Sequence, residues 1–425
     1  MRNSTTSISG YSALQWRILL VMMAMNFINY VDRTVVFPLF HLIGPEFQVS
    51  DFELGLLGTA FILVHSLALL PLGVLADRVS RTRIVAFGAL FWSAATVMTG
   101  LASSYRFLLG IRALVGIGES AYAPASASII TDVFPPEQRA RVQSYYALGM
   151  FAGGTVGMIL GGLLGAWVGW RAAFFVVGVP GLLLFLVAYR SPDPMLAAGS
   201  LRAVRYRMGD TLRRLLAMPA YVLILAGGAL MTFATGCLIT WGTEFAIRYY
   251  GFTLRSAAVT LALVVLSAGT LGVVGGGWTA DALERRWLWG RALTVGVAIL
   301  LAAPFLLLAI YAPNRAVLLV ALFVASFFLT VYHGSVTAVI HDITPVSIHG
   351  VSFAAYVFSN QLLGNMSAPV LVGLISDRFE LRTGLLLAEL AVLAGGVVFL
   401  LVARSIRKGA LRAAKPLPED RLMVR

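Results

Sequence analysis

Asp32 and Arg33 stand side by side inside an apolar run over residues 16–40, and Arg112 and Glu119 stand seven residues apart inside a second run over 107–130. A charged side chain at the centre of a bilayer costs roughly a few kcal/mol or more, so ionisable residues in such runs mark a functional site by default. Neighbours at i and i+1 leave a helix in different directions, so Asp32 and Arg33 cannot simply neutralise one another. Residues seven apart stack on one helical face, which makes Arg112 and Glu119 the matching pair. Burial favours the protonated form of a carboxylate and a nearby arginine favours the ionised form, so a carboxylate held between the two can exchange a proton in the physiological range. Drawing the arginine away to a polar or anionic guest would promote proton uptake. Asp32 and Glu119 are therefore the expected proton-linked pair, and Arg33 and Arg112 the expected headgroup ligands. Asn29 and Tyr30 belong to the Asp32–Arg33 stretch and are expected ligand contacts. A fixed salt-bridge network tying two helices together is the bland alternative, although apolar packing would do that at less cost.

The elements that must position these groups are membrane spans. Of 425 residues, 59% are hydrophobic and 12% charged, about half the charged share of an ordinary globular chain. Runs long enough to cross a hydrocarbon core of about 30 Å recur near 16–40, 53–76, 84–103, 107–130, 142–165, 172–190, 219–246, 256–279, 288–311, 315–338, 352–375 and 384–403. Twelve spans put both termini on one side of the membrane. With the N-terminus inside, the outer segments carry only Arg106, Arg171, Arg248, Arg255, Arg315, Arg378 and Arg382 and the remaining loop and tail charges are inside, so both termini are expected to be cytoplasmic. This distribution gives the net charge of +13 a topological origin, and no nucleic acid partner is expected. The first run continues too far for a cleaved signal sequence and is expected to be retained. The single cysteine, Cys237, allows neither an internal disulfide nor a cysteine-based metal site. An arginine-rich chain with only two lysines fits a GC-rich bacterial genome, and the bacterial inner membrane is the expected location.

The chain is also duplicated. Gly73, Asp77 and Arg81 recur as Gly277, Asp281 and Arg285, 204 residues on, and Asp132 and Pro135 recur as Asp342 and Pro345, 210 residues on. The division that follows is a six-helix bundle over 1–190, a cytoplasmic linker over 191–218 with Arg202, Arg205, Arg207, Arg213 and Arg214, a second bundle over 219–403 and a cytoplasmic tail over 404–425. Parallel halves of this kind are related by an axis along the membrane normal. The basic linker suits an inner surface of anionic lipid headgroups.

Twelve spans with the loop Gly73-x-Leu75-x-Asp77-Arg78-x-Ser80-Arg81-x-Arg83 and its copy after span 8 resemble the major facilitator superfamily of transporters. A narrower resemblance comes from Asn29-Tyr30-x-Asp32-Arg33, Arg112-x-Leu114-x-Gly116-x-Gly118-Glu119, Thr131-Asp132-x-Phe134-Pro135-Pro136-Glu137-x-Arg139 and Gly169-Trp170-Arg171-x-x-Phe174. These stretches resemble the Spinster family of lysolipid and sphingolipid transporters, bacterial type, over residues 26–190. The resemblance implies an all-α membrane protein with the major facilitator fold, in which spans 1 and 4 line a central cavity. At about 1.5 Å per residue, Asp32 lies about 12 Å below the outer end of its span, and Arg112 and Glu119 lie about 8 and 18 Å below theirs, so cross-helix pairing is possible. It further implies alternating access, with Asp77, Arg81, Asp132, Arg139, Asp281, Arg285 and Asp342 as a cytoplasmic gate. The implied activity is secondary transport, linked to protons, of a lysophospholipid or sphingoid phosphate. Organic anion:proton symporters of the same superfamily share a similar Asp-Arg in span 1 and Arg with Glu in span 4, so a small carboxylate is the alternative cargo. The partners expected are the small-molecule or lysolipid substrate, protons and membrane lipid, with the chain acting as a monomer.

The second half has no counterpart of the four charged groups and offers Trp241, Tyr332, Tyr356 and Asn360 instead, joined by His65 in span 2 and His333 in span 10 as further substrate candidates. A chamber charged on one wall and aromatic on the other suits an amphiphile. Glu244 near the outer end of span 7 is expected to reach water, and Glu389 in span 12 has no assigned role. The glycines of span 5 are expected to let another helix approach closely. No GxxxxGK[ST] loop and no cluster of nucleophile with base is present, so neither ATP-driven pumping nor an enzyme is expected, and no cofactor or metal is called for.

Overall fold

In lipid every backbone amide must be satisfied within its own segment, and a chain of apolar runs answers this with helices. The structure, a computed structural model, describes residues 12–76, 79–191, 208–345 and 348–413. Among them are sixteen α-helices and one π-helix: α1 (Ala13–Thr34), α2 (Phe40–Phe47), α3 (Asp51–Ala76), α4 (Arg81–Thr99), α5 (Tyr105–Val133), α6 (Pro136–Val168), α7 (Trp170–Tyr189), α8 (Met208–Leu216), α9 (Pro219–Tyr250), α10 (Leu254–Glu284), α11 (Gly290–Ile310), α12 (Arg315–Thr330), α13 (Tyr332–Ile343), α14 (His349–Ser359), the π-helix Asn360–Asn365, α15 (Ser367–Arg378) and α16 (Leu381–Ala413). Side-chain caps start several of them. Ser12 accepts from the Gln15 amide while the Gln15 side chain accepts from Ser12, and Ser80, Ser104 and Asn314 cap α4, α5 and α12.

Among the described residues, ten helices are long and apolar enough to cross a membrane. The other two expected spans are α5, whose Arg112 and Glu119 dilute its apolar character, and the run from α14 to α15, which the π-helix breaks into short pieces. Span 1 also ends sooner than its apolar run. Pro38 has no amide to donate to Thr34, whose carbonyl instead accepts from Phe37, and the chain passes through tight turns into α2. Asp32 and Arg33 therefore occupy the last turn of α1.

Contacts divide the chain into two units that do not follow the linker. The first comprises Met1–Arg205, Gly236–Leu266 and Asn365–Gly384, and the second Tyr206–Thr235, Ser267–Gly364 and Leu385–Arg425. In the first unit α1 packs on α6 and α7, α3 on α5 and α15, and α4 on α5 and α7. Its core is built on Met22, Met25, Trp92, Val115 and Tyr122. In the second, α11 packs on α12 and α13.

The α1–α6 contact shows what the glycines of span 5 do. A Cβ on Gly153 would strike the Phe27 carbonyl oxygen, and one on Gly157 would meet Thr34 Oγ1 and lie 2.6 Å from the Val31 oxygen. The same closeness lets the Thr34 hydroxyl donate to the Gly154 carbonyl at 2.9 Å. Gly153→Leu is expected to lower stability by roughly 1–3 kcal/mol or to abolish folding. Gly154→Ala, whose Cβ would meet only Thr34 Cγ2 at 3.9 Å, should leave the thermal midpoint in detergent unchanged.

Candidate functional site

The four ionisable residues come together within the first unit, on α1 and α5. Arg33 NH2 donates to Glu119 Oε2 at 3.2 Å, and Arg112 NH1 donates to the Asp32 backbone carbonyl at 3.4 Å. The Asp32 carboxylate accepts from Thr96 Oγ1 of α4 at 3.4 Å. Aromatic faces complete the setting: Arg33 lies between the rings of Tyr30 and Phe61, 5.1 and 5.0 Å from their centroids, and Arg112 lies 5.5 Å from Phe61 and 6.0 Å from Phe174. Asn29 faces Glu119, and His65, one turn beyond Phe61 on α3, has its ring 5.9 Å from that of Phe61. Both faces of the site owe their closeness to glycine: a Cβ on Gly116 would sit 2.6 Å from the Phe61 oxygen, and one on Gly118 would sit 2.6 Å from the Trp92 nitrogen.

Burial is unequal. Asp32 is 0% exposed, Arg112 and Glu119 1% each, and the Arg33 side chain 16%. In this conformation both carboxylates are sealed, and Arg33 forms the edge of the cluster nearest to open space. Asp32 Oδ1, Glu119 Oε1, Arg33 Nε and Arg112 Nε have no hydrogen-bond partner among the described residues. Buried polar atoms left in this way are costly, about 1–3 kcal/mol each and more when charged, and such groups cluster where a guest or a proton is to be taken up.

The other candidates fall elsewhere. Trp241 belongs to the first unit, where it is fully buried, donates to the Pro369 carbonyl at 3.1 Å and packs edge-on against Phe40. Tyr332, His333, Tyr356 and Asn360 belong to the second unit. There the rings of Tyr332 and His333 are 4.2 Å apart, and Tyr356 and Asn360 crowd Gly228 of α9, where a Cβ would strike the Tyr356 ring. The Asn360 backbone carbonyl, at the start of the π-helix, accepts from Thr232 Oγ1 at 3.2 Å.

Of the expected gate, Asp77 lies outside the described residues, as do the side chains of Asp132 and Arg139. Arg81 opens α4, beside its capping residue Ser80. In the second unit Asp281 and Asp342 meet, but on Arg291: its Nε and NH2 donate to Asp281 Oδ1 at 3.1 and 3.0 Å, and NH1 donates to Asp342 Oδ2 at 2.7 Å. Arg291 also donates its backbone amide to Glu284. The Arg285 amide donates to the Asp281 carbonyl, as helix continuation requires.

A stronger cluster lies at the end of the first unit that the arginine distribution assigns to the outside. Arg248 of α9 forks onto both oxygens of Asp51, at 2.6 and 2.7 Å, and its Nε donates to Glu244 Oε1 at 2.6 Å. Ser376 donates to the same Asp51 carboxylate, and the Asp377 carboxylate accepts the Asp51 and Phe52 amides at 2.8 and 2.9 Å, capping α3. Glu244, expected to reach water, is 5% exposed because Arg248 and His41 enclose it. None of Asp51, His41, Arg248, Ser376 and Asp377 was legible as a site residue, since charges at span ends are ordinary. Asp51 and Arg248 meet across 197 residues of chain.

Fold and site are those of a membrane transporter with its ionisable cluster inside the bundle. The chain matches the Major Facilitator Superfamily over residues 22–369 and belongs to that superfamily. It is similar to protein spinster homolog 1 of Xenopus tropicalis, 26% identical over 430 residues covering 93% of this chain and 82% of the relative. It is also similar to a sphingosine-1-phosphate transporter of Danio rerio, 27% identical over 425 residues covering 92% and 84%. Among solved structures, a bacterial homologue of the human lysosomal transporter Spinster in an inward-facing, unoccupied conformation shares the fold, with a TM-score of 0.83 at 24% identity over 94% of this chain and 99% of the other.

Removing the arginine shared by Asp51 and Glu244 would leave two buried carboxylates without a cation. Arg248→Ala is expected to cost roughly 2–4 kcal/mol, read as a lowered thermal midpoint in detergent. Arg248→Lys, which keeps the charge but not the fork, should fall between the two. An unchanged midpoint in Arg248→Ala would show the cluster to be energetically idle.

Proposed function

We propose that this chain is a secondary active transporter that works by alternating access, linked to protons, and moves a lysolipid-like amphiphile such as a lysophospholipid or sphingoid phosphate. The observation that carries the reading is the Arg33–Glu119 pair, a guanidinium at the one partly open edge of the cluster covering a sealed carboxylate. An anionic headgroup that draws Arg33 away uncovers Glu119 and removes a neighbouring positive charge, which promotes proton uptake there, so cargo binding and proton binding are coupled through one side chain. Asp32 and Glu119 act as the proton-linked pair. Arg33 and Arg112 take the headgroup, with Asn29, Tyr30 and His65 beside them. Trp241, Tyr332, His333, Tyr356 and Asn360 are assigned to the rest of the cargo, and their largely aromatic character is what favours a hydrocarbon tail over a small hydrophilic solute. Asp281 and Asp342, through Arg291, with Arg81, Arg285, Asp77, Asp132 and Arg139, form the cytoplasmic gate. The similarity to a sphingosine-1-phosphate transporter supports the cargo class, and the arginine distribution supports cytoplasmic termini; the chain is assigned to the bacterial inner membrane as a monomer.

Transport by reconstituted protein is expected to vary with pH, and Asp32→Asn and Glu119→Gln are expected to flatten that dependence, measured as uptake into proteoliposomes at several pH values. Unchanged pH dependence in both variants would remove the coupling role. Thermal stabilisation by lysophospholipids or sphingoid phosphates is expected in the purified protein, and stabilisation by small organic anions alone would favour a carboxylate symporter instead.

A further inference from the structure

The cluster at the outer end of the first unit does not balance in charge. Asp51 and Glu244 are both buried, at 9% and 5% exposure, and share a single arginine, Arg248. Asp377 is committed to the amides that open α3. One cation against two carboxylates leaves a buried negative charge, and it is localised: Glu244 Oε1 takes Arg248 Nε, while Glu244 Oε2 lies 3.3 Å from His41 Nδ1 on α2. His41 carries an imidazole, the side chain whose ordinary pKa puts its charge change between pH 5 and 8, and it is 40% exposed, so protons from solution reach it directly.

We propose that His41 is a proton sensor for the outer side, supplying the second cation of this cluster in acid and thereby holding the outer ends of α2, α3, α9 and α15 together. The charged groups that face it agree. The Glu244 carboxylate raises the affinity of His41 for a proton above the ordinary imidazole value, against smaller opposing effects of burial and of Arg248. Asp51 lies beyond Arg248 and balances that guanidinium. A group whose proton affinity is raised in the closed arrangement stabilises that arrangement at pH values below its ordinary pKa of about 6.5. The contribution is lost as pH rises through the raised value. External acid therefore favours a closed outer end, and mild alkali loosens it. This device is separate from the proton-linked pair assigned to Asp32 and Glu119. It rests on the alternating-access reading only in requiring that the outer end open.

The chain carries its own probe. Cys237, the single cysteine, is fully buried on α9, and Trp241, Glu244 and Arg248 follow it at helical spacing along one face, so the cluster lies above it on the way to the outer surface. Labelling of Cys237 by a membrane-impermeant maleimide added from outside reads opening of the outer end. The ratio of rates between His41→Gln and wild type at each pH cancels the intrinsic pH dependence of the thiol. At pH 5.5, where the imidazole holds its proton in the closed arrangement, the variant is expected to label several-fold faster than wild type. By about pH 8.5 the ratio should fall towards one, where the imidazole is neutral. Glu244→Gln, which keeps the size of the side chain, should lose the acid protection as His41→Gln does, and His41→Lys should stay protected at both pH values. Because the readout is exposure and not transport, failure of the Asp32–Glu119 assignment would leave these ratios intact. Equal labelling of wild type and His41→Gln at every pH, including no labelling of either, would overturn the inference.

Discussion

The structure depends on one ion pair made where water is scarce, Arg33 to Glu119 at 3.2 Å. In a low-dielectric interior neither partner can be left alone, because an uncompensated buried charge costs several kcal/mol. Arg112, two helical turns from Glu119 on α5, is held against the Asp32 carbonyl, so the two acids and two arginines sum to zero without pairing off completely. That incompleteness leaves a carboxylate oxygen on each acid and an Nε on each arginine without a partner among the described residues. The glycines that bring α3, α4 and α5 into backbone contact, and those that bring α6 onto α1, exclude the space in which these charges could solvate themselves.

The same device recurs once in each unit, with different weight. Arg248 gathers Asp51 and Glu244 in the first unit, and Arg291 gathers Asp281 and Asp342 in the second. Arg248 ties α3 to its own helix α9, and Arg291 ties the ends of α10 and α13 to α11, each by short charge-assisted bonds. The carboxylates around Arg248 are 11% and 6% exposed at the side chain, whereas those around Arg291 are 59% and 43% exposed. Ion pairs in water are worth about 0–1 kcal/mol and buried ones far more to break, so the Arg248 cluster is the firmer of the two.

Much of the fold and the centre of the site were legible in the sequence for the same reason: lipid makes charge rare, so Asp32, Arg33, Arg112 and Glu119 stood out against their runs, and the recurrence of Asp132 as Asp342 exposed the duplication. What stayed hidden depended on geometry that composition does not encode. The apolar run through Phe40 disguised the end of α1 at Thr34, although Pro38 carried the signal. Nothing in residues 360–365 announces a π-helix, which arises where Gly364 packs against Ala229 and Thr232 of α9. Arg291 looked like one more topology-setting charge, and Asp51 and Arg248 like ordinary surface residues at span ends, because pairing across 197 residues leaves no local trace. The sealing of Asp32 and Glu119 was likewise invisible, since the expectation of a central cavity said nothing about which conformation would show it.

If cargo takes Arg33 and leaves Glu119 to bind a proton, binding must move protons even without a membrane gradient. The direct measurement is proton exchange on adding a lysophospholipid to the purified protein in weakly buffered detergent, followed with a soluble pH indicator. Uptake of protons from solution on binding, absent in Glu119→Gln, is the predicted result. Saturable binding of the lysolipid with no change in bound protons would contradict the account.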